Sequence, residues 1–542
     1  MNSLGVVSTV DPLASSAGRE VLESGGNAVD AAIAAGAVLA VVAPHLCGLG
    51  GDLYALVHIP GEEKPACLNA TGRAGSGADA ARMREEGHSV MPFRDDIRAT
   101  PVPGCVDGWV ALNERFGTLP MKDLLDPARR IAAEGFEATG MLARAVKGNL
   151  AGTPGAEDLW RPLVSENGDS PAELGRRMAR PGVARILEAV AAEGRDGFYR
   201  GEFGRGLIAM AKGEFTEADL ERFNADWVEP LSLDAFGARL WTAPPNSQGY
   251  LALAGLGIAE RLAERGLLPD DPDDGRWAHA MAEAARVAGF DRPEVLFEDS
   301  DVSSVLESLD ERASWIREGE RAEVPGVQAV GGTTALAAAD RDGMAVSYIQ
   351  SNAAGFGTHV FEPATGVGLQ NRGTGFTLAE GHRAEYAPGR RPPHTLVPFL
   401  ATDPETRRPR LVATTMGGDS QPQIVMQLAA RVLHHGQSAA EAMWAPRWRL
   451  HPGTTGFGTW GDAAAPRFAA AGASTDYEVD VDLESGAPEG WGSVLSESGH
   501  EWVEVEQGST FGHAHVIDFR NGGVQAAADP RSETGTVSRS ER

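Results

Sequence analysis

The chain has 542 residues, 42% of them hydrophobic and 23% charged, which is enough apolar material for a large core and argues against wholesale disorder. Its 48 Lys and Arg against 76 Asp and Glu give a formal net charge of −28, a field that repels phosphate backbones and excludes nucleic acid as an expected partner. The three cysteines, Cys47, Cys67 and Cys105, lack Cys-x-x-Cys spacing and leave one over from any pair, so neither a disulfide framework nor a zinc knuckle is expected.

The opening MNSLGVVSTVDPLASS has no basic stretch leading into an apolar one, so no secretory signal is read there. Asn27 stands where a helix cap belongs, and Ala28, Ala31, Ala32, Ala35, Val38 and Leu39 recur at helical spacing as far as Pro44. The apolar window Ala31 to Ala43 inside it falls short of the ~20 residues needed to cross a bilayer, so no membrane span and a cytoplasmic location are expected. CGLGGDLYALVHI follows as a Gly-rich turn entering an apolar strand. The stretch 153–181, mixing Pro, Gly and charge, is expected at the surface, and 266–276 reads as a loop.

The charged run Val302 to Arg321 predicts a helix, followed by an exposed connection, EVPGVQAVGG. TTALAAAD, the turn RDG and MAVSYIQS then predict a β-hairpin. A strand is expected over Arg410 to Thr415, then a helix from near Pro422 to Gly436, whose closing His434 and His435 suit the helix dipole. Ser438 and Glu441 have capping-box spacing. No period of roughly 20–50 residues recurs, which disfavours solenoids and propellers. Hairpins interleaved with apolar helices imply a layered architecture of mixed helix and sheet.

Most chemical motifs are absent. No metalloprotease, P-loop or nucleophile-elbow pattern occurs, and GLGGD (48–52) lacks dinucleotide spacing and sits between helix and strand in the wrong order. The 13 histidines do not cluster at ligand spacing. His513 and His515 share a strand face, where a structural role is the plainer reading. No metal or organic cofactor is implied. What remains is GGTT (331–334), which alone would read as a turn entering a strand.

Its setting gives it more weight. SSAGREVLESGGNAVDAAIAAGAVLAVVAPHLCGLGGDLY, VPGCVDGW, APPNSQGYLAL, HAMAEAARVAGFDR, GGTTALAAADRDG, MGGDSQPQ and AAADPRSETG together resemble the γ-glutamyltransferase family, in the family's order and across nearly the whole chain. The resemblance implies an α+β N-terminal nucleophile hydrolase with a four-layer αββα sandwich. Such a protein is made as one precursor that cuts itself before a threonine, here between Gly332 and Thr333. Residues 1–332 and 333–542 would then stay together as a heterodimer.

The chemistry has its own logic. A threonine hydroxyl needs a base beside it, and cleavage frees an α-amine on the same residue whose unperturbed pKa of about 7.7–8.0 suits that work. Thr333 is therefore expected to be both nucleophile and base, and Thr334 structural. Gly417 and Gly418 match the family's paired-glycine oxyanion hole, where backbone N–H groups meet the developing charge. Asn352, or Ser351 if the register differs by one, is expected to hold nucleophile or substrate.

The acyl pocket departs from the family. LQNRGTGF (369–376) stands where a stretch ending in two acids and Phe grips the glutamyl amine, so Gly375 replaces the amine-binding acid and Arg372 a neutral or acidic side chain. The serines that bind the α-carboxylate match His394 and Thr395. The clamping arginine falls near Arg73, displaced by two positions. The resemblance thus implies a self-processing hydrolase or acyltransferase acting on a small amide, with water or an amine as acceptor. The alternative is a relative adapted to a non-glutamyl anionic acyl group: an oxamate-type amidohydrolase, a cephalosporin-acylase-like enzyme, or a C–C bond-cleaving biosynthetic enzyme. A silent binding homologue is a further alternative that intact GGTT and MGGD disfavour.

Overall fold

The computed structural model describes residues 5–150, 152–163, 176–324, 333–450, 481–520 and 523–541. Gly332, most of EVPGVQAVGG and part of 153–181 lie outside them. Two antiparallel sheets form the centre. Their strands are, in chain order, β1 (Val6–Thr9), β2 (Asp52–His58), β3 (Ala66–Ala70), β4 (Asp226–Val228), β5 (Leu231–Ala235), β6 (Ala238–Thr242), β7 (Thr334–Ala339), β8 (Ala345–Ser351), β9 (Phe399–Thr402), β10 (Pro409–Thr415), β11 (Ala514–Asp518), β12 (Gln525–Ala528) and β13 (Thr536–Arg539). Seven make the first sheet in the order β13-β1-β7-β8-β2-β3-β4, and six make the second in the order β12-β11-β10-β9-β6-β5.

Strand alternation sorts the side chains between layers. Ala335, Ala337 and Ala339 of β7 face the second sheet and pack with Ile349, Leu400, Val412 and Ile517. Leu336, Ala338, Val346 and Tyr348 face the other way, under α1 (Pro12–Glu23) and α2 (Ala28–Val42). The outer face of the second sheet is covered by α3 (Tyr250–Glu264), α4 (Gly275–Gly289) and α5 (Gln421–Ala429). The stack is helix, sheet, sheet, helix: the four-layer αββα sandwich.

Asn27 caps α2 in a full capping box with Asp30, and every residue of the helix is buried. Its small side chains let it lie close on the sheet: a Cβ on Gly36 would stand 2.5 Å from the Tyr348 hydroxyl. The hairpin is β7–β8, with Gln350 opposite Thr334. These two strands lie between β1 and β2 in one sheet, so the chain's two halves share a single layer.

Two local expectations change. The run 302–321 is two short helices, Ser303–Glu307 and Leu309–Ser314, rather than one. Ser308 stands between them, its hydroxyl donating to the Val305 carbonyl and accepting from Arg312 Nε, the local competition with the helix ladder that serine offers. The helix after Pro422 ends in a π-turn, Ala430–His434. There His435 accepts from the Trp277 indole and burial lowers its pKa to about 4, so it is neutral and not a dipole-stabilised cation. His515 bonds Ser8 Oγ at 2.8 Å, a structural contact. Among the described residues no helix is long and apolar enough to cross a membrane.

Candidate active site

Thr333 precedes β7 and is fully buried. Its Oγ1 lies 3.1 Å from Ser351 Oγ, while Gln421 Nε2 donates to it at 3.4 Å. Ser351 Oγ accepts from the Ala353 N–H at 2.8 Å and from Arg372 Nη2 at 3.1 Å. In the contact between the two hydroxyls either oxygen can be the donor. The Thr333 oxygen thus accepts from Gln421 and shares a hydrogen bond with Ser351. Of the two register alternatives, Ser351 is the one beside Thr333. Asn352 instead donates to the Pro44 carbonyl at 3.1 Å and holds the turn before β2.

Arg372 is 4% exposed. Besides Ser351 it donates through Nη1 to Thr395 Oγ1 at 2.8 Å and through Nε to Asp52 Oδ2 at 3.0 Å. His394 Nδ1 accepts the Leu396 N–H at 3.2 Å, so Nε2 carries the proton and donates to Asp52 Oδ2 at 2.9 Å. Burial first, and the Arg372 charge second, lower the His394 pKa to about 4. Burial raises the Asp52 pKa, but Arg372 and His394 outweigh it and hold the carboxyl below its ordinary value. The group is therefore one anion, one cation and a neutral imidazole.

Gly417 and Gly418 have φ of +141° and +56°, conformations that side chains rarely tolerate. Among the described residues neither N–H has a backbone acceptor. Gln248 braces this turn, donating to the carbonyls of Gly418 at 3.1 Å and Thr395 at 2.8 Å. A Cβ on Gly375 would stand 2.5 Å from the Pro393 carbonyl oxygen, so backbone closes the space of the family's amine-binding acid. Arg73 is elsewhere: it pairs with Glu298 and with Asp226 at 3.0 Å, acids it shares with Arg391.

The structure thus gathers Thr333, Ser351, Arg372, Thr395 and His394 into one hydrogen-bonded chain and leaves Asn352 and Arg73 outside it. Sequence reasoning missed Asp52, Gln248 and Gln421. Their signal was present: polar residues at the junctions GGD-LYALV, NSQGY and SQPQ, where apolar elements begin or end.

The fold and this site define an N-terminal nucleophile hydrolase. The Gamma-glutamyltranspeptidase family model matches residues 14–538, and the chain belongs to that family. It is 34% identical to the glutathione hydrolase-like YwrD proenzyme of Bacillus subtilis (strain 168), over 97% of this chain and 96% of that protein. It is 34% identical to the oxamate amidohydrolase proenzyme of Klebsiella pneumoniae subsp. pneumoniae, over 96% of each. The crystal structure of cephalosporin acylase from Bacillus halodurans superposes with a TM-score of 0.85 at 31% identity, over 99% of this chain and 96% of that one. The protein is an enzyme of this family, a self-processing hydrolase.

Proposed function

We propose that the chain cuts itself between Gly332 and Thr333, and that the freed Thr333 then attacks small-molecule amides to form an acyl-enzyme. Water or an amine acceptor takes the acyl group in the second half-reaction. Before the cut, the Thr333 nitrogen is an amide and cannot accept a proton; afterwards it is an amine beside its own hydroxyl. Gln421 donates to the Thr333 oxygen and Ser351 shares a hydrogen bond with it, and together they hold the hydroxyl beside that base. The N–H groups of Gly417 and Gly418 receive the oxyanion. We place the reaction in the cytoplasm, where three free buried cysteines are at home.

The acyl group that fits best is anionic and lacks an α-ammonium. The observation that carries this reading is Arg372, whose guanidinium is joined to Thr333 through Ser351 alone. Among the described residues, three of its five N–H groups are used by Asp52, Thr395 and Ser351, and two remain for a carboxylate. Closure of the Gly375 position by Pro393 leaves the glutamyl ammonium without its usual acid there, a costly loss for a buried charge. The test is kcat/KM for γ-glutamyl, glutaryl, succinyl and oxalyl anilides, with and without Arg372→Gln. We expect an amine-free anionic anilide to be preferred and the substitution to abolish the preference. A γ-glutamyl preference indifferent to Arg372→Gln would contradict it.

A further inference from the structure

Asp52 opens β2 at the end of the Gly-rich turn, and the reaction above gives it no task. The strand registers put it in the nucleophile's row. Gln350 faces Thr334 across β7–β8, which sets Thr333 level with Ser351, and Ser351 faces Asp52 across β8–β2. All three point toward the second sheet, as Ala335, Ile349 and Tyr54 do two residues along their strands. Asp52 is fully buried. Its Oδ2 takes both Arg372 and His394, while Oδ1 is buried without a partner among the described residues. A buried carboxylate so incompletely satisfied is a poor device for stability. Its effect falls on its partners: among the described residues it is the one anion bonded to Arg372, and it is the acceptor for the His394 proton.

We infer that Asp52 is a positioning and specificity residue. It fixes the plane of the Arg372 guanidinium so that Nη2 reaches Ser351 and the open N–H groups face the acyl group. It also balances the guanidinium charge, so an anionic acyl group is oriented without being trapped. The inference rests on Thr333 as nucleophile and Arg372 as the acyl contact.

The experiment compares Asp52→Asn, Arg372→Gln and the double variant in the processed enzyme. Asparagine keeps an oxygen for His394 and removes the charge. With anionic anilides, Asp52→Asn lowers kcat about tenfold or more through misplacement of Arg372, while KM falls because the guanidinium is no longer compensated. The double variant is no worse than Arg372→Gln alone, since Asp52 acts through Arg372. If the asparagine protein does not fold, Asp52→Glu replaces it; there kcat falls and KM is unchanged, because charge is kept and position is not. The rate of self-cleavage, which requires Thr333 and Ser351 but no added substrate, is followed in parallel. If the wild type turns over none of the anilides while processing slows non-additively in the three variants, Asp52 keeps its role and only the acyl reading falls. Wild-type kcat, KM and processing in the Asp52 variants, or losses that multiply in the double variant, overturn the inference.

Discussion

At the scale of single residues, Ser351 Oγ joins Thr333 Oγ1, the proposed nucleophile, to Arg372 Nη2. Ser351→Ala removes that hydrogen bond, and self-cleavage and kcat should both fall about 10- to 100-fold, the worth of one hydrogen bond to a developing charge. Ser351→Thr keeps a hydroxyl and should retain most of both. Timed gels for processing and initial rates for kcat check this; an alanine variant within twofold of wild type would contradict it. Thr333 and the two glycines could be singled out as candidates because their motifs are local. Ser351 and Asn352 were not separable by pattern, since a shift of one residue on a strand exchanges the two faces. Asp52 was hidden because an acid after Gly-Gly reads as part of a turn. Arg73, two positions from its expected place, has Asp226 and Glu298 for partners, acids that come from distant parts of the chain and leave no trace beside it.

At the scale of elements, the hairpin β7–β8 and the capped α2 could be read directly, because alternation and capping are short-range signals. The helix over 302–321 could not, because Ser308 divides it through its own side-chain bonds. The turn after β10 carries Gly417 and Gly418, the proposed oxyanion-binding pair. Gly417→Ala would force a side chain into φ +141° with Ile424 Cδ1 3.0 Å from the new Cβ, a strain of about 1–3 kcal/mol. The expected result is a folded protein with reduced kcat and nearly unchanged KM, measured on the processed enzyme. The segment 369–376 makes a second prediction. Gly375→Asp restores the family's acid in sequence, yet its Cβ would meet the Pro393 carbonyl at 2.5 Å. The variant should lose thermal stability without gaining γ-glutamyl turnover; a gain in that activity would show that the pocket is more open than the packing implies.

At the scale of the molecule, β7 and β8 of one half lie between β1 and β2 of the other, and β9 pairs with β6. The two pieces should therefore stay together after cleavage until denaturant breaks both sheets. Burial is the leading cause that lowers the pKa of His45 to about 3, His394 to about 4, His513 to about 4 and His515 to about 3. Each folded value lies below the ordinary imidazole value of 6.5, so below that pH the unfolded chain binds protons that the folded chain refuses. Their contribution is fully present above pH 6.5 and is lost as pH falls toward about 4 for His394 and His513 and about 3 for His45 and His515. Asp52 and Asp529, also held below the ordinary carboxylate value, add to the loss at the acid end. Calorimetry across this range should show Tm falling steeply with acid; a flat profile would contradict the burial of these groups as neutral rings.

The central claim is that a chain cut before Thr333 carries its nucleophile and its base on one residue. Intact-mass spectrometry of the purified protein, beside Thr333→Ala, tests it most directly. The wild type should give two pieces of about 35 and 22 kDa, scaled from 57.0 kDa by chain length, the smaller beginning at Thr333 with a free amine. Thr333→Ala should remain one inactive chain. A wild type that is active while uncut, or an alanine variant that is processed and active, would contradict the account.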